Sequence, residues 1–363
     1  MAVFEHVESM GHEQVLFCND KATNLKAIIA IHDTTLGPAL GGCRMWDYES
    51  EHDALEDVLR LSRGMTYKAS VSGLNLGGGK AVIIGDPKKL KSEAFFRTFG
   101  RFVNSLGGRY ITAEDVNIRV SDMENVSQET KFVTGVSKKA GGSGDPSPVT
   151  ALGVYHGIRA SVFHKLGRDS VKGLKIAVQG CGAVGTSLCE FLHRDGAQLL
   201  VGDINEDKVQ YIVDNFSGKA VDVNSIHGED VDVYAPCALG GGLNDKTIPE
   251  IKASIVAGAS NNQLLDENVH GEQLKKRDIL YAPDYVINAG GLINVYQELI
   301  GYNQEAAKKQ TSGIYDTLLQ IYKQADDEGI TTDHASNMIA EKRINDVRAM
   351  KDLKQTARNQ TWS

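Results

Sequence analysis

The stretch KIAVQGCGAVGTSLCEFL, residues 175–192, is the tightest constraint in this chain. An apolar run leads into Gly180-x-Gly182-x-x-Gly185, and an amphipathic run follows. Each glycine has its own task. Gly180 permits a sharp turn out of a strand, Gly182 lets backbone approach a pyrophosphate, and Gly185 lets the next helix pack close to the sheet. Phosphates then meet unpaired N–H groups at the helix start. Gly180, Cys181, Gly182, Ala183, Val184, Gly185 and Thr186 are therefore expected to cradle a dinucleotide. Asp203 ends the following apolar strand, 18 residues after Gly185. A carboxylate there accepts hydrogen bonds from ribose hydroxyls and repels a 2′-phosphate, and Ile204 and Asn205 supply no cation to offset that. This points to NAD over NADP. A glycine-tight turn without ligand, or FAD or another adenine nucleotide, are the alternatives.

The surroundings of that motif extend the pattern. A helix is expected over about 150–166, followed by KIAVQG, AQLLVGD, VDVYAP, SIVAG and ILYAP as strands, with VGTSLCEFLHRDG and EDKVQYIVDNF as helices between the first of them. Alternation of this kind implies a doubly wound parallel sheet. The first third forms an α/β unit of its own. It has strands at 25–32, 81–85 and 109–116, a helix at 53–70 and an amphipathic helix at 92–106 capped by Ser92. The Gly-, Ser-, Lys- and Pro-rich segment 135–150 is the expected boundary. At 363 residues, two domains are the natural division, 1–140 and 141–330, followed by a mainly helical tail. The fold class is α/β, with a Rossmann-type second domain.

Composition removes other classes. A net charge of −8 argues against a nucleic-acid or anionic-membrane binder. Five cysteines with no CxxC pair give neither a disulfide framework nor a zinc cluster, and they suit a reducing cytoplasm. The first residues lack the apolar core of a signal peptide, and no apolar run has the length of a membrane span. No metal-binding pattern stands out.

The segment GLNLGGGKAVIIGD, residues 73–86, invites a phosphate-loop reading and fails it. Leu74 occupies the place of the first glycine and Ala81 that of the hydroxyl residue. The glycines read instead as a turn before a strand, leaving space for a ligand beside Lys80. Lys68 lies twelve residues earlier, near the end of a helix. Two such cations in one cleft disfavour each other's charge, so one can lose its proton and act as base while the other stays charged and binds a carboxylate. Each is otherwise a solvated surface lysine, and Asp115 a strand-end cap.

The segments IAIHDTTLGPALGGCRMW (29–46), RGMTYKAS (63–70), GLNLGGGKAVIIGDP (73–87), RYITAEDV (109–116), GDPSPVTALGV (144–154), YAPCALG (234–240), GASNNQL (258–264) and YAPDYVINAGGLINV (281–295) resemble the amino-acid dehydrogenases of the Glu/Leu/Phe/Val family. They occur in order across almost the whole chain, and within the family they are most similar to the leucine dehydrogenases. The resemblance implies reversible oxidative deamination, in which an L-amino acid, water and NAD⁺ give a 2-oxo acid, ammonium and NADH. It makes Lys80 the catalytic lysine that activates water, Asp115 the acid that exchanges protons with the amino nitrogen, and Lys68 the holder of the substrate carboxylate. It puts Thr150 and Asn262 beside the nicotinamide and the carboxylate. Gly41 and Met65 join the substrate-binding positions, and Leu40, Ala113, Leu292 and Val295 line the side-chain pocket. Those four are apolar, so a glutamate side chain would lose its hydration without an ionic partner, whereas Leu, Val and Ile fit. The segments EDVNI, SQETK and NAGGLINVYQELIGY are similar to aromatic amino-acid dehydrogenases, so Phe or Trp is the competing substrate. An NAD-binding sensor without catalysis is a third reading. The resemblance further implies a substrate and oligomerisation domain at 1–140, to which 331–363 returns, and a homo-oligomer, an octamer by family pattern.

Overall fold

The computed structural model describes residues 3–137, 142–238 and 240–360, with side chains as far as 353. The boundary expected at 140/141 falls on residues outside that description. The elements are α1 (Val3–Ser9), β1 (Gln14–Asp20), β2 (Leu25–Asp33), β3 (Ala39–Trp46), α2 (Glu51–Val71), β4 (Gly77–Ile84), α3 (Glu93–Ser105), β5 (Tyr110–Glu114), α4 (Val120–Ser127), α5 (Ser147–Leu166), β6 (Lys175–Gln179), α6 (Ala183–Arg194), β7 (Gln198–Gly202), α7 (Glu206–Phe216), β8 (Lys219–Ala220) and β9 (Val233–Pro236). Then follow β10 (Ile255–Val256), α8 (Glu267–Lys276), β11 (Leu280–Tyr281), α9 (Asp284–Ile287), α10 (Gly290–Leu299), α11 (Gln304–Ser312), α12 (Ile314–Glu328) and α13 (Thr332–Gln360). They form two compact units. The first comprises Met1–Gly144, Glu298–Tyr302 and Ala340–Ser363, and the second Asp145–Gln297 and Asn303–Ile339.

The first unit is built on a mixed five-stranded sheet in the order β1-β2-β4-β3-β5. β1 and β2 form an antiparallel hairpin whose turn is fixed by Asp20, which accepts hydrogen bonds from the backbone N–H and the hydroxyl of Thr23. β4 runs antiparallel to β2 and parallel to β3, and β3 runs parallel to β5. Helix α2 starts at Ser50, whose side chain accepts from Asp53 N–H, with Glu51 and Asp53 in the first turn where the helix dipole favours anions. It covers one face of the sheet, where Val58 and Leu59 pack with Ile28, Ala30 and Val82. Helix α3, capped by Ser92 as its sequence implies, carries Phe95, Phe96, Phe99 and Val103 into the larger core with Ile29, Ile31, Cys43, Met45 and Ile83. Strand residues one apart therefore serve different helices, the period-two rule of a sheet covered on both faces.

The second unit has a six-stranded all-parallel sheet in the order β8-β7-β6-β9-β10-β11. Counted along the chain from β6, that order is 3-2-1-4-5-6, the dinucleotide-binding arrangement, and its switch point lies between β6 and β9. Among the described residues, no helix is long and apolar enough to cross a membrane.

Candidate active site

In the first unit, Lys80 sits mid-strand on β4 between Gly78 and Val82, and all three side-chain positions face α2. Lys80 is buried, and its Nζ lies 2.7 Å from Asp115 Oδ2. Asp115 follows the end of β5, beside Gly42 of β3: a Cβ on Gly42 would come within 2.8 Å of Asp115 Cβ. Burial pushes the Asp115 carboxyl up, but Lys80 and Arg44 outweigh it and hold the group below the usual carboxylate range. Arg44 Nε is 3.4 Å from Asp115 Oδ2, and its Nη1 is 3.1 Å from Asp57 Oδ2. Leu40 and Ala113 lie on the same face, buried, with Leu40 paired to Ile111 and Gly42 to Ala113. Met65 and Lys68 are half-buried, one turn apart on α2, and Met65 lies against Gly41. The structure thus gathers Lys80, Asp115, Leu40 and Ala113 on one strand face, with Met65 against Gly41 and Lys68 one turn on along α2, and Arg44 joins them unannounced. Strand register puts Arg44 on the same face as Leu40 and Gly42, and no local pattern in the sequence marks it.

The glycines before Lys80 differ from the sequence reading. They are part of β4, not a turn, and the space beside them is filled by protein. A Cβ on Gly78 would lie 2.1 Å from Thr66 N, and one on Gly79 would lie 2.7 Å from the Tyr110 ring. Their absent side chains let α2 and Tyr110 close on the strand, so they seat Lys80 in a packed sheet and clear no room for a ligand.

In the second unit, Gly180 leaves β6 with φ +103°, and Gly182 stands at the start of α6, which has no side-chain cap. A Cβ on Gly185 would lie 1.9 Å from Gly180 O, while one on Gly182 would meet nothing within 4 Å. The first is a helix packed hard on a strand end, and the second is open backbone at a helix N-terminus. This is the pattern a pyrophosphate needs. Cys181 is buried and its thiol is pushed up to about 12, chiefly by burial, so it is no nucleophile. Asp203 does more than end β7: its Oδ2 accepts from Cys181 N at 2.6 Å and its Oδ1 from Asn205 N at 2.8 Å. Ala183, Val184 and Thr186 form the first turn of α6, and Thr186 Oγ1 donates to Cys181 O at 3.1 Å.

Thr150 occupies the first turn of α5, and its Oγ1 would lie 2.8 Å from a Cβ on Gly291 at the start of α10. Leu292 and Val295 follow one turn apart on α10, Leu292 buried and Val295 half-buried. Asn262 is exposed in the left-handed region at φ +51°, and its carbonyl accepts from Gly241 N at 2.7 Å.

A family model for the Glu/Leu/Phe/Val dehydrogenase dimerisation domain matches residues 12–132, and one for glutamate/leucine/phenylalanine/valine dehydrogenase matches 141–205 and 201–353. The chain belongs to this family. It is 56% identical over 348 residues to the leucine dehydrogenase of Geobacillus stearothermophilus, covering 96% of this chain and 95% of that one. It is 51% identical over 350 residues to the phenylalanine dehydrogenase of Bacillus thermotolerans, covering 95% and 91%. The crystal structure of L-tryptophan dehydrogenase from Nostoc punctiforme superposes with a TM-score of 0.86 at 52% identity, covering 96% of this chain and all of that one.

The protein is therefore an amino-acid dehydrogenase of the leucine, phenylalanine and tryptophan group, and it uses a nicotinamide dinucleotide. The open glycine backbone and Asp203 belong to the second unit, and the buried lysine–carboxylate pair belongs to the first.

Proposed function

We propose that this dehydrogenase deaminates branched-chain L-amino acids, L-leucine first and L-valine and L-isoleucine after it, with NAD⁺. The overall reaction is amino acid, water and NAD⁺ to 2-oxo acid, ammonium, NADH and a proton. The observation that carries the choice of substrate is the character of the pocket positions. Leu40, Ala113 and Leu292 are buried, Val295 is half-buried, and none offers a charge or a hydrogen-bonding side chain. A γ-carboxylate buried against residues of this kind would lose its hydration without compensation.

Lys68 binds the substrate carboxylate, with Asn262 assisting. Gly41 and Met65 bound the substrate beside it. Lys80 takes a proton from the water that attacks the substrate's imine carbon. Asp115 passes protons to and from the substrate nitrogen, and its 2.7 Å approach to Lys80 is within direct proton-transfer reach. When bound, NAD⁺ supplies the hydride acceptor for the substrate Cα. Residues 180–186 hold its pyrophosphate, Thr150 lies beside its nicotinamide, and Asp203 receives the ribose hydroxyls. NAD is preferred to NADP because Asp203 repels a 2′-phosphate and Ile204 and Asn205 bring no cation.

The first unit serves as the substrate and oligomerisation domain and the second as the dinucleotide domain. The enzyme works in the cytoplasm as a homo-oligomer, an octamer in this reading, supported by the dimerisation-domain match over 12–132. The aromatic alternative has an observation of its own, the likeness to tryptophan dehydrogenase along the full chain. One pocket methylene changes selectivity only about 10–200-fold, so the two readings stand close.

Initial rates of NADH formation at alkaline pH with L-Leu, L-Val, L-Ile, L-Phe, L-Trp and L-Glu, each with NAD⁺ and NADP⁺, test the proposal. A maximum at Leu, Val or Ile with NAD⁺ supports it. A maximum at Phe or Trp moves the enzyme to the aromatic group, and no turnover with any amino acid despite tight NAD binding identifies a sensor.

A further inference from the structure

Arg44 is tied to two carboxylates at once. Its Nε lies 3.4 Å from Asp115 Oδ2 and its Nη1 3.1 Å from Asp57 Oδ2, and Tyr48 donates its hydroxyl to that same Asp57 oxygen at 2.6 Å. A continuous chain of contacts runs Lys80–Asp115–Arg44–Asp57–Tyr48, with charges alternating from Lys80 to Asp57 and the neutral Tyr48 at its end. We propose that Arg44 is a positioning residue for proton exchange: braced by Asp57 and Tyr48, it fixes the Asp115 carboxylate beside Lys80 in its ionised form. This rests on reading Asp115 as the group that exchanges protons with the substrate.

Three observations support the assignment. Asp115 lies just beyond β5, where its carbonyl accepts from Ile118 N, and its side chain is set among Gly42 beneath, Lys80 on one side and Arg44 on the other. Second, Arg44 reaches the two carboxylates through separate nitrogens, Nε toward Asp115 and Nη1 toward Asp57. A guanidinium presents donors along separate edges, and a lysine ammonium at the same place is a single point charge. Third, the surroundings leave few charges to act on Asp115. Lys80 and Arg44 contact it from β4 and β3, Asp57 of α2 and Tyr48 after β3 stand behind Arg44, and Cys43 and Tyr110 lie nearby in the core on the other face of the sheet. The Cys43 thiol and the Tyr110 and Tyr48 phenols are all pushed up, first by burial, and so stay neutral. Lys80, Arg44 and Asp57 remain, and Arg44 is the one cation among them that the sequence reading gave no role.

The charges predict opposite effects from two substitutions. Removing the cation with Arg44→Met makes ionised Asp115 less favourable. Removing the anion with Asp57→Asn makes it more favourable. The test is the pH profile of kcat and kcat/KM for the full-length enzyme, with the amino acid and cofactor that turn over fastest. Wild type, R44M, R44K, D57N and D115N are compared, each first checked for NADH binding. In R44M the acid limb is expected about one pH unit higher, with the loss falling on kcat more than on KM. R44K keeps the limb near its wild-type position but recovers only part of kcat. In D57N the limb moves to lower pH. A general loosening of the fold would not move the two limbs in opposite directions. Unmoved limbs, or limbs that move the same way in R44M and D57N, overturn the inference. If R44M does not fold, D57N decides alone: a limb at or above the wild-type position overturns it. D115N separates the two levels. Ordinary turnover in D115N removes the role of Asp115 and this inference with it, while an inactive D115N with unmoved limbs elsewhere removes Arg44 only.

Discussion

Lys80 and Asp115 meet across the strand that separates them. Lys80 is on β4, Asp115 follows β5, β3 runs between, and the 2.7 Å contact is made beside Gly42 of β3, which has no side chain to block it. This buried lysine and carboxylate are the proposed proton-transfer pair. In Lys80→Ala the carboxylate keeps Arg44 as its partner, so the fold and the dinucleotide loop should persist. Turnover is expected to fall about 10²–10⁴-fold, the range for loss of a positioned acid or base, with NADH binding unchanged by fluorescence titration. Ordinary turnover in K80A would remove Lys80 from the mechanism.

Asp203 holds its own loop. Each carboxylate oxygen accepts a backbone N–H, Cys181 on the glycine turn and Asn205 at the head of α7. Asp203→Ala therefore deletes both the proposed ribose acceptor and an anchor of the pyrophosphate turn. Hydrogen bonds to a charged group contribute about 1.5–3 kcal/mol, so NAD affinity should drop roughly 10- to 100-fold by calorimetry. NADP affinity should drop less, because the lost charge also relieves repulsion of the 2′-phosphate. An equal loss for both cofactors would refute the ribose assignment.

What the sequence made legible was local. The β6–α6 glycine turn, the Ser92 cap of α3 and the apolar stripe of α2 are each encoded within a few residues, and each is present. β3 was not legible. It is buried on both faces and interrupted by Gly41 and Gly42, so it shows neither the alternation nor the β-branched content of a strand. The glycines at 77–79 misled for a related reason. Glycine marks turns locally, but here its use is set by Thr66 and Tyr110, which arrive from other elements. Arg44 was invisible as a partner of Asp115 because the two are far apart in the chain, and only strand register brings them together.

Gly78 gives the packing argument a number to meet. A methyl group there would lie 2.1 Å from Thr66 N and 2.5 Å from Ser62 O, both on α2 and neither able to swing away as a side-chain tip would. Gly78→Ala must push the helix off the strand. Overpacking of this kind costs about 1–3 kcal/mol. It also shifts Met65 and Lys68 relative to Lys80. A lower melting temperature together with a raised KM for the amino acid is expected. A G78A enzyme with wild-type melting and KM would show that the contact between α2 and β4 is looser than its geometry.

His12 is expected to weaken the first unit in acid. Its Nε2 lies 2.7 Å from Ser62 Oγ and 3.2 Å from Leu59 O, and its ring meets that of His32 edge-on at 4.9 Å between centroids. Burial, and then the neighbouring His32, bring its pKa from 6.5 down to about 4. His32 is lowered too, again first by burial. A histidine depressed in the folded state stays neutral there while the unfolded chain takes up a proton. Stability is therefore fully present above about pH 6.5 and declines as the pH falls toward 4. His12→Gln keeps a hydrogen-bonding side chain against α2 and removes the titration. Thermal unfolding followed by circular dichroism at pH 7.5, 6, 5 and 4.5 (conditions spanning roughly the window that linkage defines) should show a shallower loss for H12Q than for wild type, and a shallower one still for H12Q with H32Q. If the single variant loses stability in parallel with wild type, the proton that destabilises the first unit binds elsewhere.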